Sequence, residues 1–244
     1  MITKTEAIVL HSLKYGDTSL IVRVFTREMG IQSYLVKGVR KPKSRIRQNL
    51  FQPLTIIRIE AYHKASDQLQ HIREVQIGEV FHTIHDDITK TSIAVFLAEV
   101  LAKSLKNQEQ NTPLFDFIKE SILFLDQTTG RIADFHLVFL IRLSRFLGIE
   151  PRNNYDSKHR YFNLREGVYQ GLPGGGEEII SEELSKNFHA LSQARPDTSG
   201  HLKISPLHRR ELLEHTIRYF RYHLDGMQEI KSHTILAMVL REKT

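Results

Sequence analysis

Near residue 78 the hydrophobic period of this chain changes, and that change constrains the fold more than any other feature of its 244 residues. Before it, short apolar runs alternate with turn residues. Glu6–Leu13 reads as a first strand and Thr18–Thr26 as a second, with Leu20, Val22 and Val24 on one face and Ile21, Arg23 and Phe25 on the other. Tyr15-Gly16-Asp17 between them is a turn composition. Met29-Gly30 leads into a third strand, Ile31–Lys37, and Leu54–Tyr62 and Gln68–Ile77 supply two more. Pro53 is tolerated there, because a strand's first residue can lack a ladder donor. Five short strands with such punctuation predict a small barrel of the OB type.

From about Glu79 apolar residues recur at helical spacing. Ile84, Ile88, Val95, Phe96, Val100, Leu101 and Leu105 mark one or two helices ending near Asn107. Thr112-Pro113 reads as an N-cap followed by a proline at the first helical position, and Leu114, Phe117, Ile118, Ile122 and Leu125 continue that helix. Arg131–Leu147 is apolar on most faces, which predicts a helix central to a bundle, and Gly148 offers its stop. Residues 149–177 resist a helical reading. Arg152–Asp156 is loop chemistry, Arg160–Leu164 and Gly167–Gln170 suit a short hairpin, and Gly171–Gly176 is a turn cluster. Ser205-Pro206 and Ser232 cap later helices. The expectation is a multi-domain α+β chain: an OB-fold barrel over residues 1–78, then a larger α-helical domain over 79–244 with a small cysteine-free hairpin insertion at 149–177.

Several function classes fall away. With no cysteine in the chain, disulfides, thiol catalysis and thiolate zinc sites are excluded. The longest apolar runs fall far short of the roughly 20 residues that span a bilayer, and Met1–Glu6 does not read as a signal peptide, so a cytoplasmic location is expected. His82 and His85, followed by Asp86 and Asp87, have metal-like spacing, but nothing nearby completes a shell and a solvated helix start is the plainer reading. Gly174-Gly175-Gly176 is followed by Glu177 and Glu178 rather than a Lys-Ser/Thr pair, so it reads as a turn and not a phosphate cradle. No nucleophile elbow, metalloprotease or nucleotide-binding motif is present. The expectation is a protein without catalytic residues, metal or cofactor.

Charge supplies the positive signal. Between Glu28 and Glu60 there is no acid, while Lys37, Arg40, Lys41, Lys43, Arg45, Arg47 and Arg58 all fall there. That local +7 exceeds the net charge of +6, so the rest of the chain is slightly acidic. Six of these cations crowd into Lys37–Arg47, between two strands of the expected barrel, where OB folds bind oligonucleotides. Lys37, Arg40, Lys41, Lys43, Arg45 and Arg47 are therefore candidate phosphate contacts, with Ser44 as a hydroxyl donor. The plain alternative is a solvated charged loop. Tyr34, Phe51 and Tyr62 flank the cluster as candidates for base stacking, or as ordinary barrel aromatics. Composition alone does not separate a DNA-binding protein from a general RNA- or ribosome-associated OB protein. A polybasic membrane adaptor is disfavoured, since no amphipathic helix adjoins the loop.

These residues carry a resemblance. Ala7-Ile8-Val9-Leu10, Tyr15-Gly16-Asp17-Thr18-Ser19-Leu20, Phe25-Thr26-Arg27-Glu28-Met29-Gly30, Val36-Lys37-Gly38-Val39-Arg40 with Ser44, and Gln52-Pro53-Leu54 resemble the RecO family in register. Phe146-Leu147-Gly148 and Tyr222-His223-Leu224 followed by Lys231-Ser232 resemble it more loosely. The resemblance implies an OB-fold domain plus a helical domain, binding of single- and double-stranded DNA, strand annealing, and help in loading RecA onto DNA coated with single-stranded DNA-binding protein (SSB). It implies RecR and the acidic C-terminal tail of SSB as partners, and no catalysis. Many members carry a four-cysteine zinc module where this chain has Arg152–Gly176 without cysteine, so zinc is not expected here. Packing by Tyr155, Tyr161, Phe162, Leu164 and Tyr169 must then hold the hairpin. An SSB tail needs an apolar groove rimmed by cations. Arg142 and Arg145 share a helix face amid Phe139, Leu143 and Phe146 and are the candidates, the alternative being that they solvate a core helix.

Overall fold

The computed structural model describes residues 2–41, 44, 46–62, 69–106, 108–176, 178–227 and 229–242. They fall into two compact units, Met1–Asp126 and Gln127–Thr244. The change of period at 78/79 marks where strands give way to helices. The packing division comes later, because the first two helices lie on the barrel.

In the first unit β1 (Ile2–Tyr15), β2 (Ser19–Thr26), β3 (Gly30–Val36), β4 (Ile56–Tyr62) and β5 (Gln70–Ile77) close a barrel in the order β1-β2-β3-β5-β4. All neighbours are antiparallel except β3 and β5. This is the expected OB-type barrel. β1 is longer than the Glu6–Leu13 pattern suggests because it serves two partners. Ile2–Ile8 pairs with β4, Ala7–Tyr15 pairs with β2, and a register shift between Val9 and His11 bends it from one to the other. The interior holds Val9, Leu20, Val22, Val24, Tyr34, Val36, Ile57 and Ile59, as the alternation predicts.

Two helices follow, α1 (Ile88–Ser104) and α2 (Thr112–Gln127). Phe25, on the outer face of β2, packs on Phe115 of α2 with ring centroids 5.9 Å apart. Arg27 donates to both carboxylate oxygens of Asp116, at 2.5 and 3.1 Å, and Lys119 reaches Glu6 at 2.8 Å and Glu79 at 2.9 Å. The connection between the helices lies against β3. Ile31 N–H donates to the Gln108 carbonyl at 2.9 Å, and Gly30 has φ +67°, where a Cβ would stand 2.1 Å from that same oxygen. Only glycine fits both conditions.

α1 starts four residues after Ile84 because the turn before it is held separately. The Asp126 carboxylate accepts from the backbone N–H groups of His82, Thr83 and Ile84 at 2.8–3.0 Å, and Asp87 caps the helix by accepting from Thr89 and Lys90. The cap of α2 is Asn111, whose Oδ1 accepts from Leu114 N–H at 3.0 Å; Thr112 is already helical.

The second unit contains α3 (Phe135–Phe146), the hairpin β6 (Tyr161–Asn163) and β7 (Val168–Gln170), α4 (Glu182–Gln193), α5 (Pro206–His223) and α6 (Ser232–Glu242). α3 is shorter at its start than the Arg131–Leu147 pattern, since Asp134 flanks it and turns its carboxylate to Arg209 of α5 at 2.7 Å. The hairpin at 149–177 is held by aromatic packing. Phe162 stacks on Phe188 of α4 at 4.5 Å, Tyr169 lies 4.8 Å from Phe162, and Tyr155 stacks on His189 at 4.7 Å. Asn154 clips the Tyr169 backbone at both N–H and C=O, and Tyr219 of α5 donates to the Ile149 carbonyl at 2.6 Å. Phe162, Leu164 and Tyr169 are buried, and Tyr155 and Tyr161 are half-buried.

Candidate nucleic-acid interface

The basic loop is not a free tether. Its apolar members anchor it: Val39 is buried in the barrel core, and Ile46 and Leu50 pack against the same cluster. A short 3₁₀ turn, Gln48–Phe51, then sets Phe51 into the core before β4. The anchoring leaves Lys37, Lys41 and Arg47 exposed at one end of the barrel. Arg40 joins this loop to the β1–β2 turn, its N–H donating to the Thr18 carbonyl at 3.0 Å and its guanidinium reaching the Gly16 carbonyl at 3.4 Å. Lys14, at the end of β1 beside that turn, is exposed and adds a cation the sequence reading passed over. Its only sequence signal is its position immediately before the Tyr15-Gly16-Asp17 turn.

The other candidates separate. Ser44 Oγ donates to the Ile46 carbonyl at 2.9 Å and accepts from Ile46 N–H at 3.3 Å, so its hydroxyl is committed to the loop's own turn. Lys43 and Arg45 lie outside the described residues. Arg58 shares the acid-free stretch but not the patch. It pairs in register with Glu6 on the β1–β4 side, in a polar cavity with Glu28, Glu60 and Glu74. Tyr34 and Phe51 are 0% and 2% exposed inside the barrel, where no base can reach them, which corrects their reading as stacking candidates. Tyr62 is 48% exposed and remains accessible.

On the outer surface, register brings together residues that the sequence scatters. Leu13 pairs with Ile21, Ile21 with Leu35, and Leu35 with His71; Tyr15 pairs with Ser19. The half of this face toward β3's start is covered, with Arg23 donating to the Lys106 carbonyl at 2.9 Å and Phe25 under α2. In the half beside the basic loop no described residue covers Leu13 or Tyr15, which are exposed.

In the second unit, Arg142 is not a free rim cation. Its guanidinium donates to the Ala194 carbonyl at 2.8 Å and the Gln193 carbonyl at 3.4 Å, closing the C-terminus of α4. Arg145 is exposed, 3.9 Å from Glu150. The two arginines therefore do not rim a shared groove. An apolar cavity of about 280 Å³ instead lies between α3, α5 and α6, lined by His136, Leu207, Leu213 and Leu240 with Arg210 and Arg241 exposed beside them. Arg209 lines it too but is buried against Asp134.

Near α1, His82 and His85 do not meet as metal ligands. His82 gives its backbone N–H to Asp126, and His85 Nε2 lies 3.3 Å from Thr55 Oγ1. Among the described residues no group of three or more His, Cys, Asp or Glu side chains assembles as a metal site, and no helix is long and apolar enough to cross a membrane.

Comparison with known proteins covers nearly the whole chain. Residues 1–81 match the family model described as Recombination protein O N terminal, and residues 85–233 match Recombination protein O C terminal. A protein of Phocaeicola vulgatus named DNA repair protein RecO is 37% identical over 237 residues, covering 97% of this chain and 98% of its own length. Proteins of the same name from Flavobacterium psychrophilum and Porphyromonas gingivalis are 35% and 33% identical, each covering 97% of this chain and 98% of the relative.

Proposed function

The chain belongs to the recombination protein O (RecO) family, and from that premise we propose that it is a non-catalytic DNA repair protein. It binds single- and double-stranded DNA at the basic end of its barrel, anneals complementary strands, and helps load RecA onto strands coated with SSB. The observation that carries the DNA-binding reading is the seating of the basic loop. Val39 and Ile46 fix it to the core, so Lys37, Lys41 and Arg47 stand with Lys14 on one surface rather than dispersing on a flexible arm. A preorganised cationic surface of this kind binds phosphate backbones with a strong salt dependence.

The test is a salt titration of single-stranded DNA binding. If the six cations from Lys37 to Arg47 all meet phosphates, the log–log slope approaches about −4, at roughly 0.7 per contact. Lys37→Ala with Lys41→Ala and Arg47→Ala should flatten it by about 2. An unchanged slope would move the DNA site elsewhere. RNA in the same titration separates this reading from an RNA- or ribosome-associated OB protein.

The reading extends to RecR and the C-terminal tail of SSB as partners, in the cytoplasm. For an acidic tail with an apolar anchor, the feature that supports a receptor is the cavity between α3, α5 and α6. Its floor is Leu213 and Leu240, and Arg210 and Arg241 offer charge to carboxylates.

A further inference from the structure

Phosphate contacts explain affinity for any nucleic acid, duplex or single-stranded, but they leave the bases without a partner. The open half of the barrel's outer face supplies one. Tyr15 ends β1 beside the turn that Arg40 clips to the basic loop, and the residue is 54% exposed. Its cross-strand neighbour is Ser19, too small to cover an aromatic ring. Two residues back on the same face of β1 is Leu13, also 54% exposed, and beyond it Ile21 and the half-buried Leu35 continue the row across β2 and β3. Cross-strand neighbours stand about 4.8 Å apart, so these side chains form a continuous apolar strip. Lys37 follows directly on the end of β3 at its edge.

The exposed Tyr15 and Leu13 on the sheet surface have no folding role among the described residues to explain them, since the core lies on the opposite face of each strand. Lys37 at the end of β3 beside the strip, with Lys41 and Arg47 exposed in the loop that follows, favours a polyanion over an apolar peptide or a second copy of this chain, and the strip offers ring and aliphatic surface to unstacked bases. We propose that Tyr15, backed by Leu13, Ile21 and Leu35, is the base-stacking platform for single-stranded DNA, the basic loop holding the backbone alongside. The inference rests on the DNA-binding reading above and adds what that reading lacks, a means of telling unpaired bases from duplex. Bases in a duplex are stacked on one another and cannot reach the platform. The expected base contribution is sequence-tolerant, as stacking on every base is.

The experiment compares an oligothymidylate with an abasic strand of equal length and charge, and with a duplex, using the full-length protein. Wild-type protein should bind the base-bearing strand about tenfold more tightly than the abasic one, within the range of one or two stacked bases. Tyr15→Ala should remove most of that gap while leaving abasic-strand affinity, duplex affinity and the salt slope unchanged. Tyr15→Trp should keep or widen the gap. Retention of the gap in Tyr15→Ala overturns the assignment, as does an equal loss on all three ligands. Wild-type protein that binds both single strands equally overturns the platform while leaving the cationic surface intact. Wild-type protein that binds none of the ligands overturns the DNA-binding reading, and the platform with it.

Discussion

The guanidinium of Arg209 donates to the carboxylate of Asp134 at 2.7 Å with both side chains out of solvent. Arg209 also donates to the Ile204 carbonyl at 3.0 Å, so the pair ties the start of α3 to the start of α5. Removing Arg209 leaves the buried Asp134 carboxylate with only the partly exposed Arg131, 3.5 Å away. Arg209→Met should therefore cost about 3–5 kcal/mol in urea unfolding, and adding Asp134→Leu should recover much of the loss. A double variant no more stable than the single would mean that the pair contributes more than mutual neutralisation.

Asp126 sets an acid limit on the first unit. Burial alone would raise its carboxyl, but the N–H groups of Thr83, His82 and Ile84 and the charge of Lys90 outweigh that and hold it below the ordinary value. A lowered carboxylate contributes stability that is present above about pH 4 and lost as pH falls through the folded value. Asp126→Asn should destabilise by about 1–3 kcal/mol at pH 7. The difference from wild type should shrink below pH 4, where an undiminished gap would show a role for shape rather than charge.

His136 sets a second limit at higher pH. It is fully buried, and burial, with the nearby Arg209 charge, pushes its imidazole down to about 3. The folded state thus refuses a proton that the unfolded chain accepts below about pH 6.5, so stability falls as pH drops from there. The urea midpoint should decline between pH 7 and pH 5, and His136→Gln should make that decline shallower. An identical decline in the variant would assign it to the half-buried histidines His85, His189 and His215, whose imidazoles burial also lowers.

The hairpin's stability comes from its rings. Phe162→Ala removes a fully buried side chain touching Phe188, Tyr169 and Tyr219 and should cost about 3–5 kcal/mol. The Tyr169 hydroxyl is buried and has no hydrogen-bond partner among the described residues, so Tyr169→Phe should be neutral or stabilising in thermal unfolding. Destabilisation by Tyr169→Phe would reveal a partner for that hydroxyl.

Charge reversal at the cavity tests the proposed receptor for an acidic tail. Arg210→Glu with Arg241→Glu should weaken binding of an SSB tail peptide about tenfold or more and leave naked-DNA affinity nearly unchanged. Arg145→Glu, on an exposed side chain away from that cavity, should change neither. Equal peptide affinity in the double variant would place the tail on another surface.

Local pattern determined much of this protein. The alternation of Leu20, Val22 and Val24, the breaks at Gly16 and Gly30, the change to helical spacing and the crowding of cations between Lys37 and Arg47 are all short-range signals. They survive into the structure because strand and helix periods are properties of neighbouring residues. What only the tertiary structure decided is which residues share a surface. Tyr34 and Tyr15 both lie near the basic loop, yet barrel closure turns Tyr34 into the core and leaves Tyr15 outside, because the face a strand residue takes is set by the register of its pairing, Val22 and Gln70 for Tyr34 and Ser19 for Tyr15. Arg58 belongs to the same acid-free stretch as Lys37 but is carried to the β1–β4 side by its pairing with Glu6. Arg142 looks like a free cation on an exposed helix face until the end of α4 arrives to accept its hydrogen bonds. For Arg58 and Arg142 the deciding contact spans tens of residues, and the periodicity of a single segment carries no record of it.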